Sequence, residues 1–365
     1  MNRFSSFFAV YAFVLMSLIA ACDEDTIDDI PEYDYTKGIL FCNEGLYPNG
    51  AGSISFYDNQ TGTMVNDIFK TANDRPLGNT VQSVAIMNNS TYIVVSGANR
   101  VEIVSAATFK DQNIMENLQI PRYLHQINDQ KAYLTQWGVD GLNGNIAVVD
   151  ILTNTVQKNI AIGKGPEMMV QVGNKVFVPC EGGYDYDNYD NRVAVINTDN
   201  DELITHINVF DFPNSIVADA NGKVWVLCGG KVVYDENWNV DLTQSTKGGL
   251  VMIDPQTLTV STTIEFPEVG LANNLIMNAQ NNELYYERGG LIYKQTIYDP
   301  NLNTTPWLFK SYYGMAIDPS NNTFYGTDPK DYQSNGQIIR HLPSGIVVDT
   351  LTAGIIPNGS ILFVE

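Results

Sequence analysis

Seven side chains, Gln82, Arg122, Glu167, Asn214, Asn273, Tyr313 and Asn358, occupy matching places in seven copies of one sequence pattern. Amides, a carboxylate, a phenol and a guanidinium gathered in one ring would donate and accept hydrogen bonds to a broad polar ligand, or tie off the funnel they line. Arg288 falls at the end of the second segment of its copy and adds a further donor. Catalytic constellations are scarce. His125, His206 and His341 share no equivalent position, and the chain has no HExxH, no GxSxG and no phosphate-cradling glycine loop. Asp185, Asp187 and Asp190 present carboxylates to a calcium ion, but the glycine and distal glutamate of an EF-hand loop are missing. Glu167, Asn214 and Asn273 offer one acid and two amides to a divalent metal, yet the ring lacks a second acid. The expectation is therefore a binding protein rather than an enzyme, without a cofactor or a metal.

The elements that hold these residues follow from the repeat. Each copy has an apolar segment, a turn, a second segment with Lys and aromatics, a variable loop, and a small residue leading into a third segment that ends near Asp. One copy runs through Met168 to Gln171, Lys175 to Val178 and Arg192 to Ile196. The residues before the third segments are Gly52, Asn99, Gly144, Asn191, Gly248, Gly289 and Gly336, spaced by 47, 45, 47, 57, 41 and 47. Seven copies rich in β-branched and aromatic residues, with no helical periodicity, predict an all-β, seven-bladed propeller of four-stranded blades. One such sheet cannot cover both its faces, whereas seven packed radially bury nearly all of them. Ile39 to Gly45 repeats the second-segment motif found at Phe177 to Gly182, and the final segment, Ser360 to Val364, has no second segment after it. The N-terminal strand is thus expected to close the ring.

With this order of strands, loops joining second to third strands lie on one face, here the top. The bottom turns, as at Asp150 to Asn154 and Asp254 to Thr257, are short and regular. The top loops are long and aromatic, carrying Tyr47, Trp137, Tyr184, Tyr186, Tyr189, Tyr234, Trp238 and Tyr332. Rings offer large contact area at low entropy cost, so a rim of them predicts a binding dish.

The ends and the charge bound the setting. One basic residue, an uncharged run from Phe7 and the sequence Ile19-Ala20-Ala21-Cys22 predict a lipoprotein signal over residues 1–21, with Cys22 lipidated. Residues 22–36 are acidic and read as a tether, and the propeller spans 37–365. Acids outnumber Lys and Arg by 41 to 20, a net charge of −21, which disfavours nucleic acid and anionic headgroups. Membrane contact is expected through the lipid alone. Cys42, Cys180 and Cys228 form neither a disulfide framework nor a thiolate metal site and read as small buried residues.

The Val148-Val149-Asp150 and Met252-Ile253-Asp254 strand endings and the Gly163-Lys164-Gly165-Pro166 turn resemble the YncE-like propellers of Bacteroidetes, over roughly residues 37 to 365. The lipobox, the acidic tether, the lone propeller and the tyrosine-rich top look like the surface lipoproteins called BtuG. That resemblance implies capture of a corrinoid, vitamin B12, at the outer-membrane surface and its delivery to a TonB-dependent transporter. It carries over no individual binding residue. Glycan or protein adhesion, and a metal-dependent propeller lactonase or lyase, are the alternatives.

Overall fold

The computed structural model describes residues 33–364. The expected signal segment, Cys22 and most of the acidic run lie outside the described residues. Compact packing starts at Tyr35, whose ring stands edge-on against Phe56 and Phe109 at 5.0 and 5.2 Å.

Seven antiparallel four-stranded sheets form a ring. Blade 1 comprises Val81–Met87, Ser90–Val95, Arg100–Ser105 and Asp111–Met115, and blade 2 comprises Pro121–Gln126, Lys131–Gln136, Gly144–Asp150 and Thr155–Gly163. Blade 3 comprises Val170–Val172, Lys175–Cys180, Arg192–Asn197 and Glu202–Asn208; blade 4 comprises Pro213–Ala218, Val224–Cys228, Gly249–Asp254 and Thr259–Glu265. Blade 5 comprises Ala272–Met277, Glu283–Arg288, Leu291–Thr296 and Pro306–Leu308; blade 6 comprises Gly314–Ile317, Phe324–Asp328, Asn335–His341 and Val347–Ile355. Blade 7 joins the two ends of the chain: Pro357–Val364 is innermost, and Gly38–Asn43 lies between it and Ser53–Asp58, with Thr63–Val65 outside. The N-terminal strand therefore closes the ring in register Ile39↔Phe363 and Ile39↔Tyr57.

Burial explains the residue usage. Central strands are covered on both faces, so Val224–Cys228 is an unbroken apolar run with every residue buried. The outer strand of the same blade, Thr259–Glu265, alternates and buries only Ile264 fully. Apolar clusters fill the gaps between neighbouring blades, as where Trp225, Leu227 and Ile264 of blade 4 meet Leu275, Leu284 and Tyr286 of blade 5. Each such large side chain contributes about 1.5–3 kcal/mol by leaving water. Hydroxyls stitch the innermost strands together: Ser83 Oγ donates to Arg122 O, Ser215 Oγ accepts from Leu275 N, and Ser360 Oγ accepts from Val84 N.

Two details differ from the sequence reading. A six-residue helix, Ile68–Asn73, buries Ile68 and Phe69 between blades 7 and 1; it is too short to show a period. The hairpin in blade 5 turns on both Gly289 and Gly290, at φ of 57° and 79°, so its third strand starts at Leu291, two residues after the marker. The bottom turns are as regular as expected. Asp150 Oδ1 accepts from the N–H groups of Leu152 and Thr153 at 2.9 and 3.0 Å, and Asp254 Oδ1 accepts from those of Gln256 and Thr257 at 2.8 and 3.3 Å. Cys42, Cys180 and Cys228 are buried free thiols, each pushed up by burial.

Candidate functional site at the channel mouth

The second-to-third-strand loops carrying Tyr47, Trp137, Tyr184, Tyr186, Tyr189, Tyr234, Trp238 and Tyr332 all leave the top ends of antiparallel blades. They surround the channel mouth, where the innermost strands begin. The ring of matching residues divides there by task. Asn358 turns aside and donates to Val81 O and Gln82 O, both at 3.1 Å, and Asn214 donates to Ala272 O at 2.8 Å. These two amides tie neighbouring blades. Asn273 is exposed beside Asn274, which donates to Tyr312 O.

The others converge on Arg122. Its Nε donates to Glu167 Oε1 at 2.8 Å and its Nη1 to Gln82 Oε1 at 2.5 Å, while the Gln82 amide donates to Tyr123 OH at 3.1 Å. The guanidinium stacks 4.3 Å above the Trp137 ring, whose Nε1 donates to the same Glu167 oxygen at 2.8 Å. Trp137 is only 8% exposed, so it is a floor under Arg122 rather than part of an open rim. Burial opposes the charge on Arg122, but Glu167, by charge and hydrogen bond, together with Tyr123 and Glu181 outweighs it and holds the guanidinium protonated.

Two carboxylates at this mouth stand outside the sequence expectation. Glu44 and Glu181 directly follow the second strands of blades 7 and 3. Burial pushes Glu44 up, opposed by hydrogen bonds from Asn358 and Tyr313 and by the Arg122 charge; the Tyr313 hydroxyl lies 3.2 Å from both its oxygens. Burial pushes Glu181 well above the usual carboxylate range, reinforced by Glu167 and opposed by Arg122. The signal was present in the sequence as a Glu-Gly pair closing the same strand motif in two copies. Blades 7, 1, 2, 3 and 6 thus place three carboxylates, one guanidinium, an amide and two phenols within reach of one another.

The surrounding loops are built to stay in place. Tyr184 meets Trp137 edge-on at 5.1 Å and passes so close to Gly141, at φ of 74°, that a Cβ there would lie 2.2 Å from the tyrosine ring. Lys164, in the Gly-Lys-Gly-Pro turn, bonds Asp185 Oδ2 at 2.7 Å and Asn188 O at 2.6 Å, anchoring the tyrosine-rich loop. Asp190 holds Arg192 at 2.6 Å, so two of that loop's three aspartates already face cations of the chain. Tyr189 packs on Phe212 at 4.7 Å. Tyr47, Tyr186 and Trp238 are the open rings, at 76%, 65% and 83% exposure, with Tyr184, Tyr234, Tyr313 and Tyr332 about half exposed. Tyr313 and Tyr332 meet edge-on at 5.8 Å, and Tyr234 and Trp238 lie 6.1 Å apart on the longest loop. Arg288 is not part of this network; its side chain lies toward blade 4.

No histidine joins the mouth. His206 Nε2 lies 2.6 Å from Ile162 O on an outer strand, and His341 is buried with its Nε2 2.5 Å from the Tyr312 hydroxyl. His125 lies toward the lower end of its strand, where burial lowers its pKa. Among the described residues no three His, Cys, Asp or Glu side chains are grouped to hold a metal ion.

The family model described as a domain of unknown function, DUF5074, matches residues 37–335. No curated protein matches the chain. Among solved structures, a quinoprotein alcohol dehydrogenase-like protein of Bacteroides thetaiotaomicron is similar with a TM-score of 0.62 at 17% identity, over 91% of this chain and 79% of its own. A functionally unknown protein from Desulfotomaculum acetoxidans gives 0.61 at 14% identity, over 90% and 99%. Kuenenia stuttgartiensis hydrazine synthase gives 0.55 at 15%, over 75% and 86%. At these identities the likeness is one of fold.

Proposed function

The chain belongs to the DUF5074 family, and from that premise we propose that it is a binding propeller whose top bowl captures a broad ligand edged with amides, a corrinoid being the class that fits best. The observation that carries this reading is the pairing of acceptors and a donor at one mouth: Glu44 and Glu181 beside Arg122, inside a rim that includes the open rings of Tyr47, Tyr186 and Trp238. A primary amide offers an oxygen to the guanidinium and N–H groups to the carboxylates, and a disc with many such amides engages several blades at once. The rings supply apolar contact for the face of the disc.

The same reading makes the protein a lipid-anchored surface lipoprotein, held through Cys22, that hands its ligand to a TonB-dependent outer-membrane transporter. It assigns no catalysis to the bowl. Glu167, the ring acid that a metal-dependent lactonase would use, is engaged by both Arg122 and Trp137.

Isothermal titration with cyanocobalamin tests this directly. One-to-one binding at micromolar protein is expected, weakened by Glu181→Gln and by Trp238→Ala. Absence of heat would overturn the corrinoid reading in favour of glycan or protein adhesion. Because the mouth holds no histidine, the visible spectrum of the bound corrinoid should keep its own lower axial base; a histidine-ligated spectrum would contradict the site.

A further inference from the structure

Five of the six arginines among the described residues are ion-paired: Arg75 and Arg100 with Glu102, Arg122 with Glu167, Arg192 with Asp190, and Arg340 with Asp349. Arg288 is the exception, in a chain with twice as many acids as bases. No carboxylate and no hydrogen-bond acceptor of the described residues meets its guanidinium, and its Nη1 is shut off from solvent without a partner.

Its surroundings are aromatic and fixed. Phe266 of the segment after blade 4, and Tyr286 and Tyr293 of blade 5, form a row of nearly parallel rings, with centroids 5.6 and 5.8 Å apart and interplanar angles of 17° and 19°. The Arg288 guanidinium carbon lies 5.1 Å from the Phe266 centroid and 4.5 Å from that of Tyr293. The Tyr286 hydroxyl, in the same cluster, is a second buried polar atom without a partner. Rings that cover the faces of a guanidinium leave its N–H edges as the means of recognition, and those edges match the two oxygens of a planar or tetrahedral oxyanion. The lip is open, since a Cβ at Gly270, Gly289 or Gly290 would meet nothing within 4 Å.

From this we infer that the top of the seam between blades 4 and 5 is an oxyanion site, at which Arg288, held by Phe266 and Tyr293, takes a carboxylate or a phosphodiester. Arg288 is only partly buried, and an oxyanion at the accessible edge of its guanidinium supplies the counter-charge that no carboxylate of the described residues gives it. The site lies at the top of blade 5 and stands whether or not a corrinoid fills the bowl.

The test is a pair of titrations at low ionic strength, dimethyl phosphate followed by phosphorus NMR and acetate by carbon NMR. Saturable line broadening in the millimolar range is expected in the wild type. Arg288→Lys should bind roughly 10-fold more weakly and Arg288→Gln not measurably, since each removes the two-pronged contact. Gly270→Asp adds a carboxylate to the open lip without touching the ring stack and should also abolish binding, so a decision survives if Arg288→Gln fails to fold. Response to phosphate alone assigns a phosphodiester-bearing ligand, and response to acetate alone a carboxylate-bearing one. Failure of both probes to bind, or equal titrations in wild type and Arg288→Gln, would overturn the proposal.

Discussion

Carboxylates buried inside the channel mouth and carboxylates held in exposed turns are driven in opposite directions. On the bottom, Asp150 is held below its usual range chiefly by the Thr153 backbone N–H, and Asp254 is lowered to about 2 by Lys223 and its turn. On the top, Glu44 and Glu181 are raised, because burial outweighs the charges and hydrogen bonds available. The bottom carboxylates are stabilised in their charged form by the N–H groups of their own turns and, at Asp254, by Lys223. The two glutamates of the mouth are left short of donors, so their charge is poorly compensated. The turns hold charged carboxylates at little cost, whereas the mouth holds two glutamates whose charge burial opposes.

The largest test of that contrast is Arg122→Ala. It strands Glu167, whose side chain is 6% exposed, and should cost about 3–5 kcal/mol in denaturant unfolding. A loss no greater than that of a surface variant would mean that the mouth is not electrostatically strained. Trp137→Phe keeps most of the floor but removes a bond to Glu167 and weakens the stacking on Arg122; about 1–2 kcal/mol is expected by the same measurement.

Next comes a change of opposite sign. Glu181 is raised on folding, so the folded state holds its proton more tightly, and its charged form opposes folding above the raised pKa. Stability from this group grows as pH falls from that point toward 4.5. Glu181→Gln should therefore raise the melting temperature most near pH 8, with the gain fading toward pH 4.5. A gain constant with pH would show that desolvation of the carboxylate is not the cause. The smallest effect belongs to the bottom: Asp254→Asn keeps the turn's side-chain oxygen and loses the charge facing Lys223, so melting should fall slightly at neutral pH. Asp254 is lowered on folding, so its contribution is present above pH 3.8 and fades as pH falls through about 2, where the two proteins should converge.

The architecture was legible because a propeller writes its period into the chain. Small residues from Gly52 to Gly336 mark the copies, and the displaced motif at Ile39 to Gly45 announces the closure. The ring of matching positions was legible for the same reason. What each member does was not, because direction of a side chain depends on the neighbouring blade. Asn358 and Gln82 hold the same place, yet one caps backbone carbonyls and the other faces Arg122. Trp137 read as a rim residue because its loop does, and it lies beneath because Glu167 offers its indole a partner. Glu44 and Glu181 escaped notice since a glutamate before a glycine also reads as turn punctuation.

The closing strand has a directional consequence. Gly38 pairs with Asp58 at the foot of blade 7, and Tyr35 donates its N–H to Ala107 O in the bottom turn of blade 1. The polypeptide therefore feeds into the disc from underneath, and a pull on its leading end would be borne by the underside. The channel mouth with Arg122, Glu44 and Glu181 opens on the opposite face from this point of entry.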